Sequence, residues 1–369
     1  MTLHVLTRFS NRFGSDPELV LAGGGNTSAK DGNVMYVKGS GVSLASITAE
    51  SFVAIDRSKL AAIFEKSYPE SDAEREEMAL RDLMDARLPG EERKRPSVET
   101  LLHGLFSQRF VLHLHPALVN GLTCSKDGAE AARRLFGESV LWIEPCKPGY
   151  ILAKLCQSRM TGYKARTGQD VSVMLLENHG IFVAADSENG LDEILTHILK
   201  TIRAQIKSEP DFREQRMLAP ETDIYVKRIA ALYGGAAEAL FNASNQAALL
   251  AKSRETAADL LLPFTPDHIV YCKAYPLFTD SPDALAAAWD GYISRYGYAP
   301  KIVIARGLGF FAVSDSAKTA ETARTLFVDA IKIAVYAQSF GGTAHMPEEL
   351  TEFIVNWEVE SYRQKQNEG

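Results

Sequence analysis

Cysteine is scarce in this chain of 369 residues, and Cys124, Cys146, Cys156 and Cys272 stand far apart with no C-x-x-C pair. Such spacing excludes a disulfide framework and a structural zinc knot and leaves reduced, buried thiols as the plain expectation. Long apolar runs are absent as well: no stretch reaches the about 18 residues of a membrane span. The opening Met1-Thr-Leu-His-Val-Leu-Thr-Arg lacks the apolar segment and small-residue cleavage site of a secretory leader. A soluble, cytoplasmic protein is therefore expected. Basic charge is in deficit, with 40 Lys and Arg against 47 Asp and Glu and a net charge of −7. That balance removes any general attraction to nucleic acid or to an anionic membrane, so an anionic ligand must be held by a local site.

What the chain does have is enough apolar content, 46% of positions, to bury a full core. Its length suggests two domains at roughly 150 residues each. Residues 1–60 read as a short helix, a turn at Gly23-Gly24-Gly25 and two strand-like runs, Val34–Val37 and Phe52–Ile55. A solvated helix rich in both charge signs follows within residues 65–96, and then a helix from Ser97 to about Gln108. Phe110-Val-Leu-His-Leu-His115 and Val171–Glu177 read as strands, the second closed by Gly180. From Leu191 to about Leu262 apolar residues recur every three or four positions (Ile194, Ile198, Ile202; then Ile229, Leu232, Ala236, Leu240), the pattern of successive helices. Pro263 and Pro266 mark the next boundary. The expected domains are 1–210, a helical connection over 211–262, and a smaller α/β unit over 263–369.

That last unit carries an internal repeat. Glu177-Asn-His-Gly-Ile-Phe-Val-Ala-Ala-Asp-Ser187 matches Arg306-Gly-Leu-Gly-Phe-Phe-Ala-Val-Ser-Asp-Ser316 in Gly, Phe, Asp and Ser, with His179 opposite Leu308. A shorter likeness pairs Val34–Lys38 with Ile269–Lys273. Gly307-Leu-Gly309-Phe-Phe-Ala312 fits the G-x-G-x-x-A pattern of a dinucleotide site, but the apolar run after the glycines reads as a strand rather than the helix start that such a site needs.

Three groups of residues could carry chemistry. His113 and His115 are two apart on an expected strand, which puts both imidazoles on one face at chelating distance. His179, beside Gly180, can turn its ring toward the same point. Three neutral imidazoles leave coordination positions open, as catalytic metal sites do; zinc is the leading choice, with Mn2+, Co2+ or Fe2+ as alternatives. An H-x-H pair alone is equally compatible with ordinary packing, and the other five histidines, His103 among them, read as packing or surface residues. The second group is Gly23-Gly24-Gly25-Asn26-Thr27-Ser28 with Lys38-Gly39-Ser40-Gly41, whose amides and hydroxyls can nest an anion such as phosphate without matching the nucleotide P-loop. The third is Glu99 in Pro96-Ser97-Val98-Glu99, a helix-start carboxylate that near a metal can shuttle a proton.

In order, Gly25-Asn26-Thr27-Ser28, Lys38-Gly39-Ser40-Gly41, Ser97-Val98-Glu99, His113-Leu-His115 and Glu177-Asn178-His179-Gly180 resemble the class II aldolase/adducin family over about residues 1–210. The rest resembles the region that follows the aldolase domain in bifunctional rhamnulose-1-phosphate aldolase/alcohol dehydrogenases, and no dehydrogenase module is expected beyond Gly369. The resemblance implies an α/β, three-layer α/β/α sandwich on a mostly antiparallel sheet. It implies a divalent metal, usually zinc, on His113, His115 and His179, with Glu99 as catalytic acid/base. Gly25, Asn26, Ser40, Gly41 and Ser97 would bind the substrate phosphate; Val98 stands where some members carry a second serine. The implied activity is cleavage of a ketose 1-phosphate, rhamnulose or fuculose 1-phosphate for example, to dihydroxyacetone phosphate and an aldehyde. Related 4-epimerases tend to carry Asp at the Glu99 position, so glutamate leans toward the aldolase. Epimerisation or decarboxylation at the same metal site, or a non-catalytic adducin-like binding role, are the alternatives. A homo-oligomer is the expected assembly.

Overall fold

The computed structural model describes residues 2–214, 219–235 and 237–356. Among these, residues 2–123 with 127–205 form one compact unit and residues 124–126 with 206–356 a second. The first unit contains strands β1 (Asn26–Asp31), β2 (Val34–Lys38), β3 (Phe52–Asp56), β4 (Phe110–Leu114), β5 (Leu141–Ile143), β6 (Val173–Leu176) and β7 (Gly180–Ala185). Its helices are α1 (Thr2–Gly14), α2 (Arg57–Ile63), α3 (Asp72–Asp85), α4 (Thr100–Leu105), α5 (Ala117–Thr123), α6 (Gly128–Phe136), α7 (Tyr150–Thr167) and α8 (Glu188–Arg203).

The seven strands run in the order β3-β2-β1-β4-β7-β6-β5, antiparallel at every step except β5 with β6. Period-2 alternation sends Val111 on β4, and Phe182 and Ala184 on β7, into a core closed by α2, α3, α4 and α7. The opposite face is covered by α1, α5 and α8. Three layers result, α/β/α, as the sequence resemblance implies. Covered on both sides, β4 is buried along its whole length.

The second unit contains α9 (Ala219–Leu232), β8 (Glu238–Asn242), α10 (Asn245–Leu250), α11 (Pro266–Cys272), β9 (Leu277–Thr279), α12 (Leu285–Tyr296), β10 (Ile302–Ala305), β11 (Gly309–Ser314), α13 (Ala317–Ala337) and α14 (Glu348–Asn356). Its four-stranded sheet, β8-β11-β10-β9, repeats β4-β7-β6-β5 in order and direction, including the single parallel pair. The likeness extends to individual bonds. Glu177 N–H donates to the Ile143 carbonyl and Arg306 N–H to that of Thr279; Asn178 pairs with Thr123, and Gly307 with Ala251. Asn178 and Gly307 both take left-handed backbone, φ 56° and 73°. Ser187 and Ser316 then cap the following helices by accepting from Gly190 and Thr319 amides. The repeat read at residues 177–187 and 306–316 is thus one turn of a larger duplicated β-α-β-β-α unit.

Three expectations change. Residues 211–262 are not a helical connection: Glu238–Asn242 is a strand of the second sheet, although Leu240 falls in helical register with Ile229 and Leu232. Ala236, the other residue of that register, lies outside the described residues. Pro266 marks no unit boundary; it opens α11, as a proline at the first helical position does. Finally, Val34–Lys38 is strand β2 whereas Ile269–Cys272 is helical, so that shorter likeness is local sequence coincidence. Gly309 opens a strand, as expected, and no helix follows the G-x-G-x-x-A glycines directly.

Candidate active site

Strand β4 carries His113, and His115 follows its last residue in continued extended alternation. This alternation brings the rings of His113 and His115 together, with their Nε2 atoms 2.9 Å apart. His179 arrives from the β6–β7 turn, where Asn178 holds its positive φ and Gly180 passes so close to β4 that a Cβ would sit 2.5 Å from the Leu114 carbonyl oxygen and 2.8 Å from the His115 ring. The ligand-capable atoms of the three histidines all lie within 4.8 Å of one another.

The orientation of His113 is fixed from behind. Its Nδ1 lies 3.0 Å from the Ile181 carbonyl oxygen, to which it can only donate, so the lone pair is on Nε2 and faces the cluster. Phe182 stacks on the ring at 4.0 Å. Burial pushes the His113 imidazole down to about 4, which keeps it neutral at physiological pH.

Glu99, immediately before α4, completes the arrangement. Its Oε1 is 3.2 Å from His113 Nε2 and 3.1 Å from His179 Nε2. Burial alone would raise this carboxyl, but positive charge shared with the two imidazoles beside it holds it well below the ordinary carboxylate range. The same Oε1 is buried without a hydrogen-bond partner. A carboxylate oxygen facing the His113 lone pair at this distance is repulsive unless positive charge lies among them. Three imidazoles with an orphaned carboxylate oxygen facing them are therefore a site that fits a divalent cation held by the imidazoles.

A model of the class II aldolase and adducin N-terminal domain matches residues 6–198, just over half of the chain. The chain belongs to this family. It is also 22% identical over 410 residues to YuxG of Bacillus subtilis (strain 168), an uncharacterized oxidoreductase, with 96% of this chain covered. The chain spans 57% of the length of that relative. Among solved structures it is similar to the N-terminal class II aldolase domain of a Thermoplasma acidophilum protein (25% identity, 55% of this chain and 92% of that one, TM-score 0.47). L-fuculose-1-phosphate aldolase from Thermus thermophilus matches over 54% of this chain and 92% of its own (16% identity, TM-score 0.34).

The remaining residues singled out in this class II aldolase/adducin domain are brought into one neighbourhood. Asn26, on β1, donates from Nδ2 to Glu99 Oε2 at 2.5 Å and to Ser97 Oγ at 3.3 Å. Segments 38–40 and 95–97 lie side by side: Ser40 N–H donates to the Arg95 carbonyl and Ser97 N–H to that of Lys38. Gly25 has a φ of 61°, and a Cβ there would in addition meet the His113 carbonyl oxygen at 2.8 Å. Gly41 also has positive φ, 79°. The glycine turn differs from the expected amide nest in one respect. Its carbonyls face inward, where the buried Lys38 ammonium donates to Gly23 and Gly25 at 2.8 and 2.7 Å.

His103, expected among the packing or surface residues, is buried against Phe182 and also has a polar role. Fully buried, it bonds through Nε2 to Asn26 Oδ1 and through Nδ1 to Ser28 Oγ at 2.7 Å. Because its Nε2 meets the amide oxygen of Asn26, the Asn26 NH2 is left pointing at Glu99. The signal was there: His103 is four residues after Glu99, one helical turn along the same face. His103→Leu is expected to lower kcat at least about tenfold at unchanged metal content, with partial rescue by His103→Gln, which can still donate to Asn26. Equal activity of both variants and wild type would remove this positioning role.

Proposed function

We propose that this protein is a divalent-metal-dependent aldolase that cleaves a ketose 1-phosphate to dihydroxyacetone phosphate and an aldehyde. The observation that supports this most directly is the buried Glu99 oxygen set 3.1–3.2 Å from two imidazole nitrogens of the histidine trio. His113, His115 and His179 would hold the ion, zinc by preference. A bound dication supplies Lewis-acid stabilisation of the negative charge that an enediolate carries.

The chain's own residues do the rest. As the C3–C4 bond breaks, the C4 hydroxyl passes its proton to the Glu99 carboxylate and becomes the aldehyde carbonyl, while the bonding electron pair passes to the enediolate. Glu99, now protonated, delivers that proton to C3 and so forms dihydroxyacetone phosphate; in the condensation direction the same carboxylate removes it. Asn26 steadies that carboxylate through Oε2, which leaves Oε1 for the reacting side. Gly25, Ser40, Gly41 and Ser97 are proposed with Asn26 to take the substrate phosphate; the Asn26–Ser97 bond supports this. No lysine Schiff base is required by this chemistry.

Zinc-loaded wild-type protein is expected to release dihydroxyacetone phosphate from at least one of a panel of ketose 1-phosphates that includes rhamnulose and fuculose 1-phosphate. Consumption of a substrate without triose release would instead indicate 4-epimerisation or decarboxylation. Failure to bind any divalent metal would favour a non-catalytic role.

A further inference from the structure

Gly25, Asn26, Ser40, Gly41 and Ser97 are all neutral: they offer backbone amides, hydroxyls and one side-chain amide. The nearest charge among their partners is negative, since Asn26 bonds both Ser97 Oγ and the Glu99 carboxylate. A phosphate ester carries about −1.5 to −2 at pH 7. With the chain at −7, no long-range attraction helps to bring such a group in. Holding it one side chain away from a carboxylate therefore calls for a local cation.

Four basic residues lie on or beside the paired segments 38–40 and 95–97. Lys38 turns its ammonium to the Gly23 and Gly25 carbonyls. Arg93 is exposed. Lys94 donates to the Phe52 carbonyl at 2.9 Å and pairs with Glu91 at 2.8 Å. Register sets Arg95 apart. The bonds from Ser40 N–H to the Arg95 carbonyl and from Ser97 N–H to the Lys38 carbonyl flank an antiparallel bridge between Gly39 and Pro96. Arg95 therefore stands opposite Ser40, and Ser97 opposite Lys38; opposed residues share a face, and so do residues two apart. Arg95, Ser97, Lys38 and Ser40 thus lie on one face of this ribbon. It is the face of the site, because from it Ser97 Oγ meets Asn26 and Lys38 reaches the glycine turn.

Building on the sugar-phosphate reading of this site, we propose that Arg95 is the cation of its phosphate subsite and sets a preference for phosphorylated over unphosphorylated ketoses. A guanidinium presents two parallel N–H donors to one edge of a phosphate. The Ser40 and Ser97 hydroxyls, on the same face, take the remaining oxygens. Charge on Arg95 also offsets the repulsion between the phosphate and Glu99 across Asn26. Lys38 has a different part: by gathering the Gly23 and Gly25 carbonyls it holds the turn that leads into Asn26.

Arg95→Met and Arg95→Lys in the metal-loaded protein test this. Titration with inorganic phosphate, followed by calorimetry, is expected to show binding weakened about ten- to hundredfold in Arg95→Met, the worth of a charge-assisted pair. Arg95→Lys, which keeps the charge but not the fork, should lose less. Hydrogen exchange in D2O gives a second readout: the ratio of kcat/KM for dihydroxyacetone phosphate to that for dihydroxyacetone should fall by a similar factor, with KM carrying the change. No phosphate binding by wild type, a phosphate Kd unchanged by either substitution, or a fall in both exchange rates at constant ratio would overturn the proposal. The two readings separate cleanly. Phosphate bound through Arg95 by a protein that releases no triose would uphold Arg95 and sink the aldolase, whereas triose release with a phosphate Kd indifferent to Arg95 would do the reverse.

Discussion

Glu99→Gln is expected to bind metal as wild type does and to lose about 10²–10⁴-fold in kcat, the range that a positioned general acid or base contributes. The substitution is nearly isosteric. Its carbonyl oxygen still accepts from Asn26, and the three imidazoles that would hold the ion are untouched, so neither the fold nor the ligand set should suffer. What the amide cannot do is exchange a proton with carbon. A readout independent of the sugar isolates this step: dihydroxyacetone phosphate alone, incubated in D2O with loaded wild type, should exchange a hydroxymethyl hydrogen, and the variant should not. Exchange at the wild-type rate by Glu99→Gln would move the proton transfer to another residue.

The histidine trio was legible because strand alternation and the Asn-His-Gly turn are local properties. Two residues apart at the end of an extended run means one face whatever the rest of the chain does, and Gly180 is explained by the close approach of β7 to the Leu114 carbonyl. Other features depend on distant partners and left little trace. Glu238–Asn242 has apolar residues at a spacing compatible with the preceding helix, and only the ladder to β11 makes it a strand. Short β5 and β9, of three residues each, are held by β6 and β10 and show no pattern of their own. His103 looks like any apolar-face histidine until β1 brings Asn26 and Ser28 to its two nitrogens. Lys38 was read as part of an anion site, yet its ammonium is satisfied by glycine carbonyls. Position along the chain disclosed the chemistry of the site; the polar shell that orients it comes from strand pairing between segments some 70 residues apart.

His113→Ala should abolish both metal binding and turnover, and the two losses can be separated from damage to the fold. The ring is fully buried, stacked on Phe182 and bonded to the Ile181 carbonyl, so its removal costs packing and a hydrogen bond as well as a ligand. His115→Ala removes a ligand from a half-buried position and serves as the milder control. A cation that binds only the folded state adds about 2.7 kcal/mol at a hundredfold excess over its Kd. For a unit of this size that corresponds to a rise of roughly 5–11 °C in Tm, at about 2–4 °C per kcal/mol. Wild type is expected to show that rise on adding zinc, and both histidine variants to show almost none while still unfolding cooperatively. Equal stabilisation of wild type and His115→Ala by zinc would place the ion elsewhere, because an open three-imidazole site cannot keep its affinity after losing one donor.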